Sequence, residues 1–261
     1  MKTELTEQGF IADFYYTDGA PKKLGVLVLG GSEGGKPEYL ARPIAARGFP
    51  VLALAYFKVQ GTPEYLDMIP LEYFDQPIKW LMNHEQTQPG GIAVVGISKG
   101  AELALLLASR KAQIRGVLAL SPSSVVFQGI PKDFSPPRSS WSYGGKPIPF
   151  VPYDLSQGIN TSDVLSLYSR SLMQKPEVQQ ATIRAERING PILLFSGEDD
   201  KMWPSTQMGD MICRRLKERG FEHKYDHVRY KNAGHTLTEF YMIGGTPQGN
   251  KEARMDSTGR M

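Results

Sequence analysis

Short β-branched or apolar runs alternate along the chain with segments of helical period. The runs that read as strands are Phe10–Tyr16, Leu24–Leu29, Val51–Ala55, Gly91–Val95, Gly116–Leu120, Pro191–Phe195 and Asp226–Tyr230. Several are continuously apolar, as strands covered on both faces of a sheet are. Between them, Leu71, Phe74, Ile78 and Leu81 recur at helical spacing and share one face. Met208, Met211, Ile212 and Leu216 do the same, with Pro204–Ser205 as a start signal and Gly220 as a stop. Lys99–Arg110 is almost wholly apolar after its first turn, the pattern of a central helix buried against a sheet. Pro43 and Pro77 interrupt helical stretches. A proline there removes a hydrogen bond at a cost of about 3 kcal/mol, so bends or late helix starts are expected. Strand–helix alternation predicts an α/β fold with right-handed crossovers and a mainly parallel sheet flanked by helices.

Residues 121–187 break this rhythm. The segment is rich in Pro, Ser and Gly and falls between two strong strands. It reads as a cap-like insertion, since a long irregular segment in a compact domain usually carries function. Its aromatic residues Phe127, Phe134, Trp141, Phe150 and Tyr153 are either a mini-core of their own or the wall of a substrate pocket. On the second reading Trp141 and Phe150 are the pocket residues. No repeat or linker is visible, so residues 1–261 read as one domain.

Composition narrows the class. Of 261 residues, 41% are hydrophobic, enough for a large core. The net charge of +3 is dispersed, with no basic stripe to suggest nucleic acid. The opening MKTELTEQGF has no apolar core of a signal peptide, and no apolar run reaches membrane-span length. The single Cys213 precludes an intrachain disulfide, fits a reducing compartment and reads as a small buried hydrophobe. A cytoplasmic protein without nucleic-acid or membrane partners is expected.

The chemistry is concentrated in three places. Gly96-Ile97-Ser98-Lys99-Gly100 follows a strand and opens a helix, the context of a G-x-S-x-G nucleophile elbow. Small residues on both sides admit the tight turn, and the serine stands at the positive end of a helix. A serine needs an adjacent base. Of four histidines, His84 reads as a helix cap, and His223 and His227 as solvent-facing strand residues. His235 follows the last strand in Asn232-Ala233-Gly234-His235 and fits the order Ser, acid, His. The acid should follow the preceding strand, where Glu198, Asp199 and Asp200 stand together and chemistry alone does not choose among them. Donors for a developing oxyanion are expected from the Lys99 N–H and from the loop Gly30–Gly35, through Ser32 N–H with Glu33 as the alternative. Glu33 also borders the expected substrate pocket. That loop lacks the endings of a P-loop and of a dinucleotide fingerprint. The scheme requires neither a metal nor an organic cofactor.

At these residues the sequence resembles the C-terminal catalytic domain shared by acyl-CoA thioesterases and bile acid-CoA:amino acid N-acyltransferases, close to dienelactone hydrolases. The matching stretches, in order, are LGGSEGG, VLALAYF, IPLEYF with KWL, GISKGAELALLLAS, GEDDKMWPS and NAGH. The resemblance implies an α/β-hydrolase fold and a triad of Ser98, Asp200 and His235, the acid falling on the second aspartate of GEDD. It also implies a small acyl substrate, presented as its coenzyme A thioester, and a role in fatty acid metabolism. Family acyltransferases carry cysteine at the nucleophile, whereas Ser98 points to hydrolysis. Rival readings are a carboxylesterase or lactone hydrolase with the same triad, and a non-catalytic binding protein on the same scaffold. Two-domain members carry a β-sandwich before this region, for which the chain starts too close to the hydrolase core. Members also end in a last helix that packs on the sheet. The polar run GGTPQGNKEARMDSTGRM predicts its absence here, and with it a poorly supported histidine loop and either self-association as a homo-oligomer or low stability.

Overall fold

The computed structural model describes residues 1–133, 136–158 and 160–261. Its strands, in chain order, are β1 (Lys2–Leu5), β2 (Ile11–Tyr15), β3 (Lys23–Leu29), β4 (Val51–Ala55), β5 (Ile69–Pro70), β6 (Thr87–Ile97), β7 (Ile114–Leu120), β8 (Trp141–Tyr143), β9 (Lys146–Pro147), β10 (Ile192–Gly197) and β11 (Tyr225–Tyr230). Eight of them form one sheet in the order β1-β2-β4-β3-β6-β7-β10-β11. From β4 to β11 every neighbouring pair is parallel, and β2 runs antiparallel to both β1 and β4. The helices are α1 (Glu38–Ala45), α2 (Asp75–Asn83), α3 (Lys99–Ala108), α4 (Val164–Ser171), α5 (Lys175–Ala181), α6 (Ser205–Glu218) and α7 (Pro247–Arg260).

The two-residue alternation of strands decides which helix covers which face. Leu27, Leu29, Leu52, Leu54, Ile92 and Val94 point one way, into a core closed by Ile78 and Leu81 of α2, the apolar length of α3, and Ile212 and Leu216 of α6. Val26, Val28, Val51, Ala53, Val95 and Ile97 point the other way, onto Leu40 and Ile44 of α1 and Ala253 of α7. Each such aliphatic side chain, fully buried, contributes about 1.5–3 kcal/mol. Pro77 is accommodated by a late start. A 3-10 turn over Leu71–Phe74 precedes α2, so Pro77 falls in the first α turn, where amides have no intrahelical acceptor. Pro43 lies inside α1, which ends two residues later. Among the described residues no helix is long and apolar enough to cross a membrane.

The expected absence of a last helix is overturned. α7 spans 14 residues. Thr246 caps it by accepting from the Gly249 N–H at 3.0 Å, and Pro247 starts it. Its buried face is Gly249, Asn250, Ala253 and Ser257. A helix with small inward residues packs close to its neighbour without large apolar groups, which is why a search for apolar period missed it. It also supports the histidine loop: Asn250 Oδ1 accepts from the Gly234 N–H at 2.9 Å, and Asn250 Nδ2 donates to the Gly244 carbonyl at 3.0 Å.

The 121–187 insertion contributes β8, which lies between β5 and β9 in a small separate sheet, and β9 itself, together with α4 and α5. Val125, Phe127, Val151, Tyr153, Leu167 and Tyr168 close a core of their own with Trp203 and Met208.

Candidate active site

β6 runs straight into the elbow. A Cβ on Gly96 would lie 2.1 Å from the Gly100 carbonyl oxygen, and one on Gly100 would lie 2.3 Å from those of Gly30 and Leu29. Both glycines are therefore required for α3 to leave the sheet this steeply. Ser98 between them has φ 55° and ψ −123°, a conformation that non-glycine residues rarely hold outside functional sites. It is half-buried, at the N-terminus of α3.

The loops after β10 and β11 bring the partners. His235 Nε2 lies 2.8 Å from Ser98 Oγ, and His235 Nδ1 lies 2.9 Å from Asp200 Oδ2. With the proton on Nδ1, the imidazole donates to Asp200 and accepts from the serine hydroxyl. His235 and Asp200 are 4% and 5% exposed, so the carboxylate acts on the ring through a dry contact. Asp200 is otherwise saturated: Oδ1 accepts from the amides of Met202 and Trp203 at 2.8 and 3.1 Å, and Oδ2 accepts from the Ser205 hydroxyl at 2.6 Å. Of the neighbouring acids, Glu198 is exposed. Asp199 pairs with Lys201 at 2.6 Å and accepts from the Gly245 amide at 2.8 Å, and the Lys201 ammonium holds its carboxyl below the usual range. Trp203 meets the His235 ring edge-on, with centroids 5.6 Å apart, and the Ser121 hydroxyl donates to the His235 carbonyl.

The loop after β3 lies against the serine. A Cβ on Gly31 would come within 3.1 Å of Ser98 Cβ. The Gly31 amide is taken by Glu33 Oε1 at 2.9 Å, and the Tyr39 hydroxyl donates to the same oxygen at 2.7 Å. Among the described residues the Ser32, Glu33 and Lys99 amides have no acceptor. Sequence reasoning missed what pins this loop. Tyr56 donates to the Gly30 carbonyl at 2.5 Å, and Lys58 Nζ donates to the Ser32 carbonyl at 3.0 Å. Lys58 has φ 57°, and Gly34, with φ 73°, leaves space where a Cβ would meet the lysine stem at 2.7 Å. The Lys99 side chain turns the other way. It is buried, 3.0 Å from both Glu102 carboxylate oxygens, and burial lowers the lysine and raises the glutamate from their ordinary ranges.

A cavity of about 670 Å³ opens at the serine. Ser32, Glu33, Ser98 and His235 line it together with Leu40, Ile97, Leu120, Leu237 and Ile243. No described residue of the 121–187 insertion does so, which corrects the expectation for Trp141 and Phe150. Trp141 is wholly buried, its indole N–H donating to Glu102 Oε1 at 2.8 Å, and Phe150 packs half-buried against the main core. The Phe127 amide donates to the other Glu102 oxygen at 3.1 Å. The insertion is thus tied to α3 behind Ser98, and its aromatic core props Trp203 and through it the Asp200 turn. Phe134 lies outside the described residues. A separate, more polar hollow of about 450 Å³ is lined by Ser109, Arg110, Thr182 and Arg184 and holds no histidine.

The other histidines divide as follows. His84 is the C-cap of α2, its ring 4.7 Å from that of Trp80, and His223 is exposed. The solvent-facing reading of His227 is wrong. Its side chain is 4% exposed, with Nε2 2.7 Å from Ser196 Oγ and Nδ1 3.0 Å from Asp210 Oδ1. Cys213 is half-buried, and burial pushes its thiol up to about 11.

Solved structures share this architecture. A sugar hydrolase from Lactococcus lactis superposes with TM-score 0.60 over 100% of this chain and 97% of its own, at 17% identity. A protein of Klebsiella pneumoniae assigned as a dienelactone hydrolase does so with TM-score 0.61 over 99% and 96%, also at 17% identity. The fold class is therefore that of the α/β hydrolases. Residues 69–243 match the family described as BAAT / Acyl-CoA thioester hydrolase C terminal, and the chain belongs to that family. Mouse acyl-coenzyme A thioesterase 5 is 30% identical over 91% of this chain and 58% of its own length, and mouse mitochondrial acyl-coenzyme A thioesterase 2 is 30% identical over 89% and 52%. The chain thus spans about half the length of the curated relatives it matches.

Proposed function

We propose that the protein hydrolyses an acyl thioester, with acyl-CoA as the substrate class, by way of a Ser98 acyl-enzyme. The observation that carries this reading is the 2.8 Å and 2.9 Å series from Ser98 through His235 to Asp200 at the mouth of an apolar cavity. The Ser98 hydroxyl passes its proton to His235 Nε2 as Oγ bonds to the thioester carbon. Asp200 holds the ring in the required tautomer and offsets the imidazolium charge. The Ser32 and Lys99 amides hold the oxyanion. The carbon–sulfur bond then breaks, and the thiolate leaves with the proton from His235. A water that gives its proton to His235 attacks the ester, and Ser98 recovers its hydrogen as the acid departs. The names of the thioesterase relatives support the thioester over a simple ester, and serine rather than cysteine supports water as the acceptor.

The test pairs a fluorophosphonate probe with a free-thiol assay on acyl-CoA. Labelling at Ser98, lost in Ser98→Ala, together with thiol release, is the expected result. Labelling with hydrolysis of aryl esters but of no acyl-CoA would move the substrate to carboxylic esters. No labelling and no turnover would leave a binding protein on a hydrolase scaffold.

A further inference from the structure

On the face of the sheet that carries α1 and α7, the middle strands lie between the two helices. The cavity at Ser98 enters this gap. It begins at Ile97 and Leu120 and passes between Leu40 and Pro43 of α1 and Ser257 and Thr258 of α7. A second hollow of about 230 Å³ continues over the same face, lined by Val26, Ala93, Val95 and Leu118 with Ile44 and Phe49. Met261 lines both. Ile97, Val95 and Ala93 are alternate residues of β6, so the two hollows follow one strand away from the nucleophile for about 13 Å at about 3.3 Å per residue. The charged groups of the first hollow other than His235 are already engaged. Glu33 accepts from Tyr39 and Gly31, and Arg254 forms a double hydrogen bond with Glu239 at 2.8 and 2.6 Å. What remains is a largely apolar trough leading from the reacting atom; among the described residues its one unpaired charged group is the exposed Arg115, which lines the second hollow at the end remote from Ser98.

We infer that this trough between α1 and α7 seats an unbranched fatty acyl chain along β6, and that Met261, where the two hollows meet, limits its length. The inference rests on the acyl-thioester reading and deepens it. A chain confined to the first hollow leaves Met261 in place, whereas a longer one must displace it to enter the second. Burial of each methylene is worth about fourfold in kcat/KM while the chain still finds apolar wall. Straight-chain acyl-CoA substrates from acetyl to palmitoyl should therefore show a steep rise and then a plateau or fall. Thr258→Phe narrows the trough and should lower the dodecanoyl-to-acetyl ratio of kcat/KM at least tenfold. Met261→Ala joins the hollows and should move the optimum to longer chains. A profile that is flat, or identical in both variants, alongside normal turnover of acetyl-CoA would overturn the trough and leave the thioesterase reading standing. Failure of the wild-type protein on every thioester, acetyl-CoA included, would remove that reading and the trough with it.

Discussion

The molecule holds two series of serine, imidazole and carboxylate, and their distances barely differ. Ser98, His235 and Asp200 are joined at 2.8 and 2.9 Å, and Ser196, His227 and Asp210 at 2.7 and 3.0 Å. Their surroundings differ entirely. Ser98 has a positive φ, stands at a helix N-terminus, faces a cavity and lies beside amides that have no acceptor among the described residues. Ser196 sits within β10, is 0% exposed, and accepts from the Thr206 hydroxyl at 2.9 Å. A Cβ on Gly209 would lie 2.4 Å from the His227 ring, so α6 closes the approach to that histidine. The second series is a rivet joining α6 to β10 and β11. Hydrogen-bond geometry alone therefore does not mark a nucleophile. Access, amides without an acceptor and backbone conformation separate Ser98, the proposed nucleophile, from Ser196.

The largest effect should come from exchanging the two serines. Ser98→Ala and His235→Ala should each lower kcat by at least about 10⁴-fold, and the double variant should be scarcely worse, because such groups act as a unit. Ser196→Ala should keep kcat within a few fold and lower Tm. Equal losses at Ser98 and Ser196 would break the distinction. Asp200→Asn should cost about 10⁴ in kcat by favouring the wrong tautomer of His235. Asp210→Asn and Asp199→Asn should cost far less, and similar small effects at all three would show that Asp200 is not the orienting acid.

A smaller effect tests what the first series has and the second lacks. Lys58→Met should lower kcat about tenfold with KM little changed, since it acts on the Ser32 peptide rather than on substrate. Lys58→Arg should restore most of it. Losses confined to KM would place Lys58 on the substrate instead. The smallest effect is on pH. Burial holds the His227 imidazole below its ordinary range, outweighing the pull of Asp210. Below about pH 6.5 the unfolded chain takes this proton more readily than the folded one, so stability present at neutral pH is lost as the pH falls. The fall in Tm between about pH 7 and pH 5 should be steeper in the wild type than in His227→Gln by about 2 °C. Parallel slopes would show that His227 is protonated alike in both states.

The strands and the elbow were legible because burial on both faces forces continuous apolar runs, and a sharp strand-to-helix turn forces Gly96 and Gly100. β1 was not, because Lys2–Leu5 is an edge strand whose first three residues are exposed and polar. α7 was hidden by its small inward residues, although Thr246-Pro247 is a legible start signal. His227 was misread because strand alternation says which face a side chain takes and not what lies over it. α6 covers that face, and Asp210, one helix away in sequence, supplies the partner. The insertion's aromatics were half-legible: their number announced a cluster, but only packing shows it turned toward Trp203 and Glu102 rather than toward Ser98. Choosing Asp200 among three acids rested on family resemblance, since local chemistry does not show that Ser205 and two amides would gather on the third carboxylate.

The loops that carry Ser98, Asp200 and His235 follow three parallel strands, and Ser98 and His235 are 137 residues apart. Parallel strands cannot pair through a tight turn, and each contact must wait for closure of a long loop. The site therefore does not pre-exist in any fragment that folds early. Helices such as α3 form from local contacts, but the hydroxyl and its imidazole meet only once β6, β7, β10 and β11 are in register. On this topology the proposed activity needs the whole run from β6 to β11 in place, and opening of the β11 edge alone would part His235 from Ser98.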